Sequence, residues 1–333
     1  MSEYERSNKP ILITGCPRSG TTFCGRIISK SDDIFEVYEP FNPDFHYNLN
    51  LPTKFHQFTS SNDDAHKKAL KSLFDLAHLS KRLSKLPMGS LAGLRFKHSG
   101  RADRIDHILS LRKLKVESSK FWKANRLSLK DPVAFFSAPW IAKQHDAHVV
   151  TLVRHPGGVI SSFLKLGWEP ETKFIVDNTL PISDGMFKDD IARWRDNPDD
   201  IVGALILQWK IFTQATLDYH TLYPEWSFVL HDELCSHPQE TFGRIFNNIG
   251  LPMTATVRET IKDYTSGQNT VDPKVHNQHM LKRSSADLLN SWKDRLSPEI
   301  TKRIILETQD LWSQAQSTFT AIEPPPITQS LSA

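Results

Sequence analysis

The chain has 333 residues, of which 39% are hydrophobic and 24% are charged, a composition typical of a soluble protein with ample material for a core. Its formal net charge of +3 suits a small anionic ligand and is too weak to indicate a nucleic acid partner. The longest apolar runs are far shorter than the roughly 18 residues that a membrane span requires, so we expect no such span.

The cysteines give an expectation about the cellular compartment. Cys16, Cys24 and Cys235 form no C-x-x-C pair and are odd in number, which favours a reducing environment over a disulfide framework. The N-terminal stretch "MSEYERSNKP" is polar and contains no recognisable signal peptide. We therefore expect a cytoplasmic protein, and the sequence leaves its oligomeric state open.

Short apolar runs alternate with longer helical stretches, a pattern that predicts parallel strands joined by helical crossovers. We expect strands at 10–14, 34–38, 126–130, 148–154 and 226–230. We expect helices at 20–31, 133–145, 157–166, 187–196, 199–222, 238–249 and 298–315. The predicted fold class is therefore α/β, a P-loop NTPase-like parallel sheet flanked by helices.

Three regions depart from this alternation. Residues 53–125 are rich in Lys, Arg and His and carry helical patterns, so we expect a helical insertion between the second and third strands. Residues 167–185 are rich in Pro, Asp and Gly and are predicted to form a long loop, a kind of segment that is often functional. We expect one domain over 1–320, followed by a disordered tail at 321–333.

The first candidate site is the stretch "ILITGCPRSGTTF", where a predicted strand is followed by a glycine-containing turn. Gly15, Gly20 and Thr22 match the G-x-x-x-x-G-K-[ST] frame of the phosphate-binding P-loop, but Thr21 replaces its lysine. The nearest positive charge is Arg18. Backbone N–H groups and the start of the next helix still make an anion site, so we expect phosphate binding and doubt hydrolysis of a nucleoside triphosphate.

The second candidate site is "TLVRHPGGVISSF", at the end of the predicted strand 148–154. Arg154 ends this strand, a turn at 156–158 leads into a helix, and Ser161 and Ser162 lie on the first turns of that helix. Ligands of open parallel sheets bind at the carboxyl ends of the strands. An arginine with a serine eight positions later can therefore bind a second phosphate from two sides.

These two sites together resemble the sulfotransferases that use 3′-phosphoadenosine 5′-phosphosulfate (PAPS). The family's lysine-free loop P-[KR]-S-G-[TS]-[TS]-[WF] is similar to "PRSGTTF" at 17–23, and its Arg–Ser pair is similar to Arg154 and Ser162. Weaker similarity continues at 230–252, which resembles Y-E-D-L-x-x-x-P, and at 282–299, which resembles a closing R-x-S…W-[KR] segment.

The resemblance implies a donor site for PAPS, with 3′-phosphoadenosine 5′-phosphate (PAP) as the product. In the family, the loop binds the 5′-phosphosulfate and the Arg–Ser pair binds the 3′-phosphate. The donor-binding residues that it implies here are Arg18, Ser19, Gly20, Thr21, Thr22, Phe23, Arg154, Ser162, Arg283 and Ser284.

The resemblance also implies how charge is stabilised during transfer. Negative charge builds on the oxygen that bridges sulfur and the 5′-phosphate, and cations and amide donors held there stabilise it. Arg18 takes the role that the family usually gives to a lysine. Lys130, at the end of the third predicted strand, is expected to point to the same edge and to contact the transferring group or the acceptor. No metal ion is implied.

The candidate general base is Glu39, which directly follows the second predicted strand and precedes Pro40. The spacing from the loop to the "YEP" triplet, together with Phe23, resembles the carbohydrate 6-O-sulfotransferase branch, where a glutamate lies in position to accept the acceptor's proton. His46 and His98 are rival candidates for the base.

The function expected from these features is in-line transfer of a sulfuryl group from PAPS to a hydroxyl of a carbohydrate or another small acceptor. The insertion is expected to cover the acceptor site, and Trp168 and Trp122 are candidates for stacking on a sugar. Two alternatives stay open. A P-loop small-molecule kinase would share the fold but normally needs the lysine that Thr21 replaces, and a non-catalytic nucleotide-binding module would not need Glu39.

Overall fold

The computed structural model describes residues 9–45, 53–58, 124, 126–178, 185–270 and 282–321. In this part of the chain five strands form one parallel sheet in the order β2-β3-β1-β4-β5. The strands are β1 Ile11–Gly15, β2 Ile34–Tyr38, β3 Arg126–Lys130, β4 His148–Val153 and β5 Ser227–Leu230. Each coincides with a predicted strand, and the predicted α/β fold is confirmed.

Helices flank both faces of this sheet. They are α1 Thr21–Ile28, α2 Ala138–His145, α3 Pro156–Leu166, α4 Thr172–Asn178, α5 Lys188–Asp196, α6 Ile201–Leu222, α7 His231–Ser236, α8 Pro238–Asn248, α9 Ala255–Thr265, α10 Ser285–Leu288 and α11 Pro298–Phe319. Short 3-10 turns cover Pro43–Phe45 and Phe135–Ser137. Within the described residues, no helix is both long enough and apolar enough to cross a lipid bilayer.

The structure differs from the prediction in several places. No helix was predicted at α7, α9 or α10, and the helix predicted at 133–145 begins at Ala138, after a 3-10 turn. The predicted loop at 167–185 contains α4, because a helical turn there buries the side chains of Ile175 and Val176 in the core. Residues 53–58, which the sequence analysis assigned to the insertion, also pack in the core, since Phe55 and Phe58 are buried. The Lys- and Arg-rich composition of the stretch that follows obscured this contribution.

Several predictions fall on residues that the structure does not describe. Residues 59–123 make up most of the predicted insertion and include His98 and Trp122. His46 and the tail from 322 onward also lie outside the described residues. The predictions made for these positions therefore stay predictions.

The core consists of two apolar layers, one on each face of the sheet. Alternation along β1 directs Leu12 into one layer and Ile11 and Ile13 into the other. The first layer includes side chains of α2, α3, α6 and α11, and the second includes side chains of α1, α8 and α9. Because both faces are covered, the central strands β1 and β4 are buried almost throughout, as is usual for parallel sheets.

The parallel arrangement brings the carboxyl ends of all five strands to one edge of the sheet. Each strand ends at or next to a residue that could bind a ligand or take part in catalysis. Gly15 begins the phosphate loop after β1, Glu39 follows β2, Lys130 ends β3, Arg154 follows β4 and His231 follows β5. This edge is therefore where the fold can assemble a ligand site.

Candidate active site

A cavity of about 800 Å³ opens at this edge of the sheet. One part of its wall consists of the phosphate loop, Arg154, His231 and Arg283. Another part consists of Glu39, Trp168 and residues 169–171, which precede α4. The volume is that of a site for a nucleotide-sized molecule and not for a single ion.

The phosphate loop turns sharply between β1 and α1. Arg18 and Gly20 have positive φ angles of 72° and 99°, so the chain turns sharply before α1 begins at Thr21. A Cβ on Gly20 would lie 2.8 Å from the His231 ring, which explains why a glycine is needed there. Thr21 and Thr22 line the cavity at the positive end of α1, a position that favours a bound phosphate.

Arg18 lies inside the cavity and is held by two neighbours. Its Nε donates a hydrogen bond of 2.9 Å to Ser162 Oγ on α3, and its guanidinium lies 5.1 Å from the centroid of the Trp168 ring. Trp168 follows Gly167, whose left-handed conformation ends α3. The loop after β1 and the helix after β4 therefore meet at this guanidinium.

Arg154 approaches the same loop from β4. Its Nη1 donates a 2.9 Å hydrogen bond to the carbonyl oxygen of Arg18, and its own carbonyl accepts from the indole of Trp209. A Cβ on Gly158 would lie 2.7 Å from Arg154 Nε, so this glycine makes room for the arginine across the start of α3. Sequence reasoning paired Arg154 with Ser162, and the structure brings both residues to Arg18.

Arg18 and Arg154 lie close to further positive charges, which the charges of Glu39 and Asp232 offset in part. Burial lowers the pKa of Arg18, and the nearby charge of Arg283 lowers it further. Burial also lowers the pKa of Arg154 to about 10, and the charges of Arg18 and Arg295 add to the effect. Among the residues that the structure describes, neither guanidinium forms an ion pair with a carboxylate. An anionic ligand would supply the missing negative charge.

The predicted donor-binding residues differ in how they face the cavity. Among the described residues, those that line it are Arg18, Gly20, Thr21, Thr22, Phe23, Arg154 and Arg283. Ser19 is fully buried behind the loop, and the Ser284 hydroxyl donates to the Asp287 carboxylate. Ser162 contacts Arg18 instead of the cavity. Ser285, next to the predicted Ser284, does line the cavity.

The closing segment packs directly on the start of α3. Trp292 stacks on the His155 ring with 4.6 Å between centroids, and a Cβ on Gly157 would lie 2.4 Å from the Trp292 ring. His155 Nδ1 accepts a hydrogen bond from the backbone N–H of Gly157. Burial, together with the charges of Lys293 and Arg154, lowers the pKa of His155 to about 4, so this ring is neutral at pH 7 and helps to fix the helix start.

Glu39 lies in a turn at the end of β2 and lines the cavity. Its carboxylate forms a close ion pair with Lys130, whose side chain is only 1% exposed, and accepts a 2.9 Å hydrogen bond from Asn42. The Lys130 ammonium also lies 3.5 Å from the centroid of the Tyr38 ring. Lys130 itself is not among the described residues that line the cavity, so its predicted contact with the transferring group stays a prediction.

The wall beyond Glu39 contains residues that sequence reasoning did not identify. Lys54 lies between the carboxylates of Asp44 and Glu171, at 2.8 Å and 3.0 Å, and all three line the cavity. Trp168, a predicted sugar-stacking residue, lines the same region and keeps 43% of its surface exposed. No local motif distinguishes Lys54 in the sequence, because the stretch 53–125 contains many other lysines and arginines.

His231 and Cys235 form the floor beneath the loop. Burial and the charges of Arg154 and Arg283 lower the pKa of His231 well below its usual value, so the ring is neutral. The Cys235 sulfur lies 3.6 Å from His231 Nδ1, and burial raises the pKa of this thiol to about 12. Both side chains therefore contribute an uncharged surface next to Arg154.

Comparison with known proteins decides the family. The sequence profile described as "Sulfotransferase family" matches residues 10–255, which is most of the chain. The protein belongs to the sulfotransferase family. Its matched region contains the phosphate loop, Glu39, Lys130 and Arg154, so the cavity at the sheet edge is the candidate active site of a sulfotransferase enzyme.

Solved sulfotransferase structures show similarity at low identity. The sulfotransferase domain of the Synechococcus PCC 7002 olefin synthase has 17% identity and a TM-score of 0.46, with 96% of each chain covered. The domain from the curacin biosynthetic pathway has 16% identity and a TM-score of 0.44, covering 90% of this chain and 97% of that one. Mouse sulfotransferase SULT7A1 complexed with PAP has 13% identity and a TM-score of 0.41, covering 93% and 85%.

These values are too low to transfer a ligand or a residue role to this sulfotransferase. No curated protein is significantly similar to it in sequence. Within the described part of the chain, no group of three or more His, Cys, Asp and Glu side chains is arranged to hold a metal ion.

The Glu39–Lys130 ion pair leads to a testable prediction about stability. We expect Lys130→Met to lower the free energy of unfolding by about 3 kcal/mol, because it leaves a mostly buried carboxylate without its cation. The double variant Lys130→Met/Glu39→Gln should recover part of this loss. Urea unfolding followed by circular dichroism measures both.

The matched control is Lys173→Met, which breaks the exposed Lys173–Asp177 pair on α4 and should change stability by less than about 1 kcal/mol. Equal losses for Lys130→Met and Lys173→Met would show that burial does not strengthen the Glu39–Lys130 pair.

Proposed function

We propose that this sulfotransferase moves a sulfuryl group from PAPS to a hydroxyl of a carbohydrate or another small acceptor and releases PAP. The observation that carries the proposal is the pair Arg18 and Arg154, two cations that lack a carboxylate partner among the described residues and lie at a phosphate loop without a lysine. Such a site suits a ligand with two phosphates better than it suits a triphosphate with Mg²⁺.

The residues present fit both ends of the donor. The loop amides, Thr21 and Thr22 would hold the 5′-phosphate at the start of α1. Arg154 would hold the 3′-phosphate, beside the uncharged side chains of His231 and Cys235. Bound PAPS supplies an activated sulfuryl group whose leaving group is PAP.

Arg18 is the group that stabilises the leaving phosphate. Its guanidinium lies in the cavity between the loop and Trp168, where it can donate to the oxygen that bridges sulfur and phosphorus. Because Ser162 already holds Nε, the guanidinium is positioned before the reaction and needs little reorganisation. Arg18 thereby replaces the lysine of other phosphate loops in function.

Glu39 is the general base of the proposed reaction. Its carboxylate accepts the proton of the acceptor hydroxyl while that oxygen forms a bond to sulfur. The bond from sulfur to the bridging oxygen breaks at the same time, and its electron pair goes to PAP. Lys130 balances the charge of Glu39 without lining the described cavity wall, so the carboxylate remains available to the acceptor.

A carbohydrate acceptor is supported by the wall beyond Glu39. Trp168 presents a half-exposed aromatic face, and the carboxylates and amide near it offer hydrogen-bond acceptors and donors for hydroxyl groups. Phenolic and aliphatic hydroxyls are the other small acceptors that this mixed surface would take.

The direct test is transfer of labelled sulfate from PAPS to a panel of glycan, lipid and phenolic hydroxyl compounds. We expect label to appear in a hydroxyl compound, with equal rates in the presence of excess chelator, because Arg18 and the loop amides supply the charge that Mg²⁺ supplies in kinases. Phosphorylation of a panel compound from ATP, restored by Mg²⁺, would favour the kinase alternative. Tight PAP binding without any transfer would favour a non-catalytic module.

A second prediction concerns the 3′-phosphate. Arg154→Ala should weaken PAP binding by at least about tenfold, since a hydrogen bond between charged groups contributes roughly 1.5–3 kcal/mol. Binding of adenosine 5′-phosphate, which lacks the 3′-phosphate, should change much less. Isothermal titration calorimetry measures both affinities, with the exposed Arg258→Ala as the control for loss of a positive charge. Equal losses for the two nucleotides would place Arg154 elsewhere in the site.

A third prediction concerns the base. Glu39→Gln keeps the shape of the side chain and removes its basicity, so turnover should fall by roughly 10²–10⁴ while PAP affinity stays within about threefold. The matched control is Glu36→Gln, which alters an ion-paired carboxylate on β2, three residues before Glu39, that is not among the described residues lining the cavity. Near-normal turnover of Glu39→Gln on the true acceptor would exclude Glu39 and make His46 and His98 the next candidates.

A further inference from the structure

We propose that Asp131 and Asn42 are positioning residues for Glu39: Asp131 fixes the turn that carries Glu39, and Asn42 fixes the direction of its carboxylate. The proposal deepens the proposed function, because it rests on Glu39 as the base. Neither residue was identified by sequence reasoning. Both contribute to holding one carboxylate at a defined place beside the phosphate loop.

The turn after β2 needs support because its backbone is unfavourable. Glu39 has a φ of 48°, a left-handed conformation that is uncommon for a residue with a side chain. Its N–H donates to the carbonyl oxygen of Lys130 at 2.8 Å, and its own carbonyl accepts from the N–H of Asn42 at 3.1 Å. The first bond connects the turn to β3 and the second closes the turn itself, so the N–H of Phe41 needs another partner.

Asp131 supplies that partner. Its side chain is fully buried, and its carboxylate accepts hydrogen bonds from the N–H groups of Phe41, Val133 and Ala134 at 2.6, 2.9 and 3.2 Å. An ionised carboxylate can accept all three bonds, whereas an amide offers one oxygen only. Asp131 therefore joins the Glu39 turn to the chain that follows β3.

The backbone of Asp131 is in turn fixed to β1. Its N–H donates to Ile13 O at 2.9 Å, and its carbonyl oxygen accepts from the Thr14 hydroxyl at 2.8 Å. Since β1 leads directly into the phosphate loop, Asp131 links that loop to the turn that carries Glu39. Asp131 therefore adds a second connection between the proposed base and the phosphate loop, beside the pairing of β3 with β1 and β2.

The charge of buried Asp131 does not stabilise the folded state at neutral pH. Burial, with the charge of Glu39 in addition, raises the pKa of Asp131 to about 7. A carboxyl group whose pKa is higher in the folded state than in the unfolded state favours folding at low pH and loses that contribution as the pH rises to 7. The three hydrogen bonds that Asp131 accepts from the turn and from the chain after β3 are therefore the evidence for its positioning role.

Asn42 acts on the carboxylate itself. Its Nδ2 donates to Glu39 Oε2 at 2.9 Å, while Lys130 binds Oε1 from the other side. With one donor on each oxygen, rotation of the carboxylate is restricted. Glu39 and Asn42 both line the cavity, so the remaining lone pairs of the carboxylate stay accessible to a ligand there.

The test is a double-mutant cycle. Asp131→Asn and Asn42→Ala are each made alone and together with Glu39→Gln, and turnover of PAPS is measured with the hydroxyl compound found by the acceptor screen. Each single change should lower turnover between about tenfold and a hundredfold, because a displaced base loses its alignment, while PAP affinity stays within about threefold. In the Glu39→Gln background neither change should lower turnover further, since both act through Glu39.

The matched control is Asp200→Asn, which removes a carboxylate that accepts from Gly203 N–H and pairs with Arg303, away from the cavity. It should lower stability without changing turnover. Losses that add to the loss from Glu39→Gln would overturn the proposal, because they would show an effect independent of the base. If Asp131→Asn fails to fold, the cycle with Asn42→Ala decides alone.

A second measurement separates this proposal from the proposed function. If no variant and no wild-type protein turns over PAPS, the proposed function fails, and crystal structures of the folded single variants still report on Glu39. Displacement of its carboxylate by about 1 Å or more supports positioning by Asp131 and Asn42. An unmoved carboxylate in these variants overturns it.

Discussion

The site depends on two buried arginine side chains that lie close together at the phosphate loop. Arg18 and Arg154 are joined by a hydrogen bond from one side chain to the other residue's carbonyl, and no carboxylate among the described residues forms an ion pair with either. Burial penalises both charged forms, so the arrangement is unfavourable without a ligand. In the proposed function, an anion with two phosphates relieves this penalty.

The charged groups around Glu39, on another part of the cavity wall, are arranged differently. There the charges are paired: Glu39 with Lys130, and Lys54 with Asp44 and Glu171. Paired charges fix side chains in place and leave hydrogen-bonding capacity for neutral hydroxyl groups. The cavity thus has arginines without ion pairs at the phosphate loop and paired charges around Glu39. This contrast suits a reaction in which one substrate is a polyanion and the other carries a hydroxyl.

Much of the fold could be predicted from the sequence because its signals are local. The alternation of apolar runs predicts each of the five strands in the described part of the chain, and residue types at fixed spacing indicate the phosphate loop and Arg154. Trp168 was also singled out, and it lines the cavity. Helices α4, α7, α9 and α10 were not predicted. At α4, Pro- and Gly-rich flanks obscure the apolar pair Ile175 and Val176.

Side-chain direction was the part that spacing could not supply. Ser19 belongs to the phosphate-loop motif and Ser284 to the closing segment. Ser19 is buried behind the loop, and the Ser284 hydroxyl donates to Asp287. Lys130 ends a strand at the right edge, but its ammonium points to Glu39. The hydrogen bond from Phe41 to Asp131 joins residues 90 positions apart, and a single sequence contains no signal for such a contact.

The most direct measurement of the central claim is a crystal structure of the protein with PAP. The 5′-phosphate should lie against the N–H groups at the start of α1, within hydrogen-bond distance of Arg18, and the 3′-phosphate should lie within hydrogen-bond distance of Arg154. A complex in which the phosphates contact neither arginine, or in which the nucleotide binds outside this cavity, would contradict the claim that Arg18 and Arg154 form the donor site.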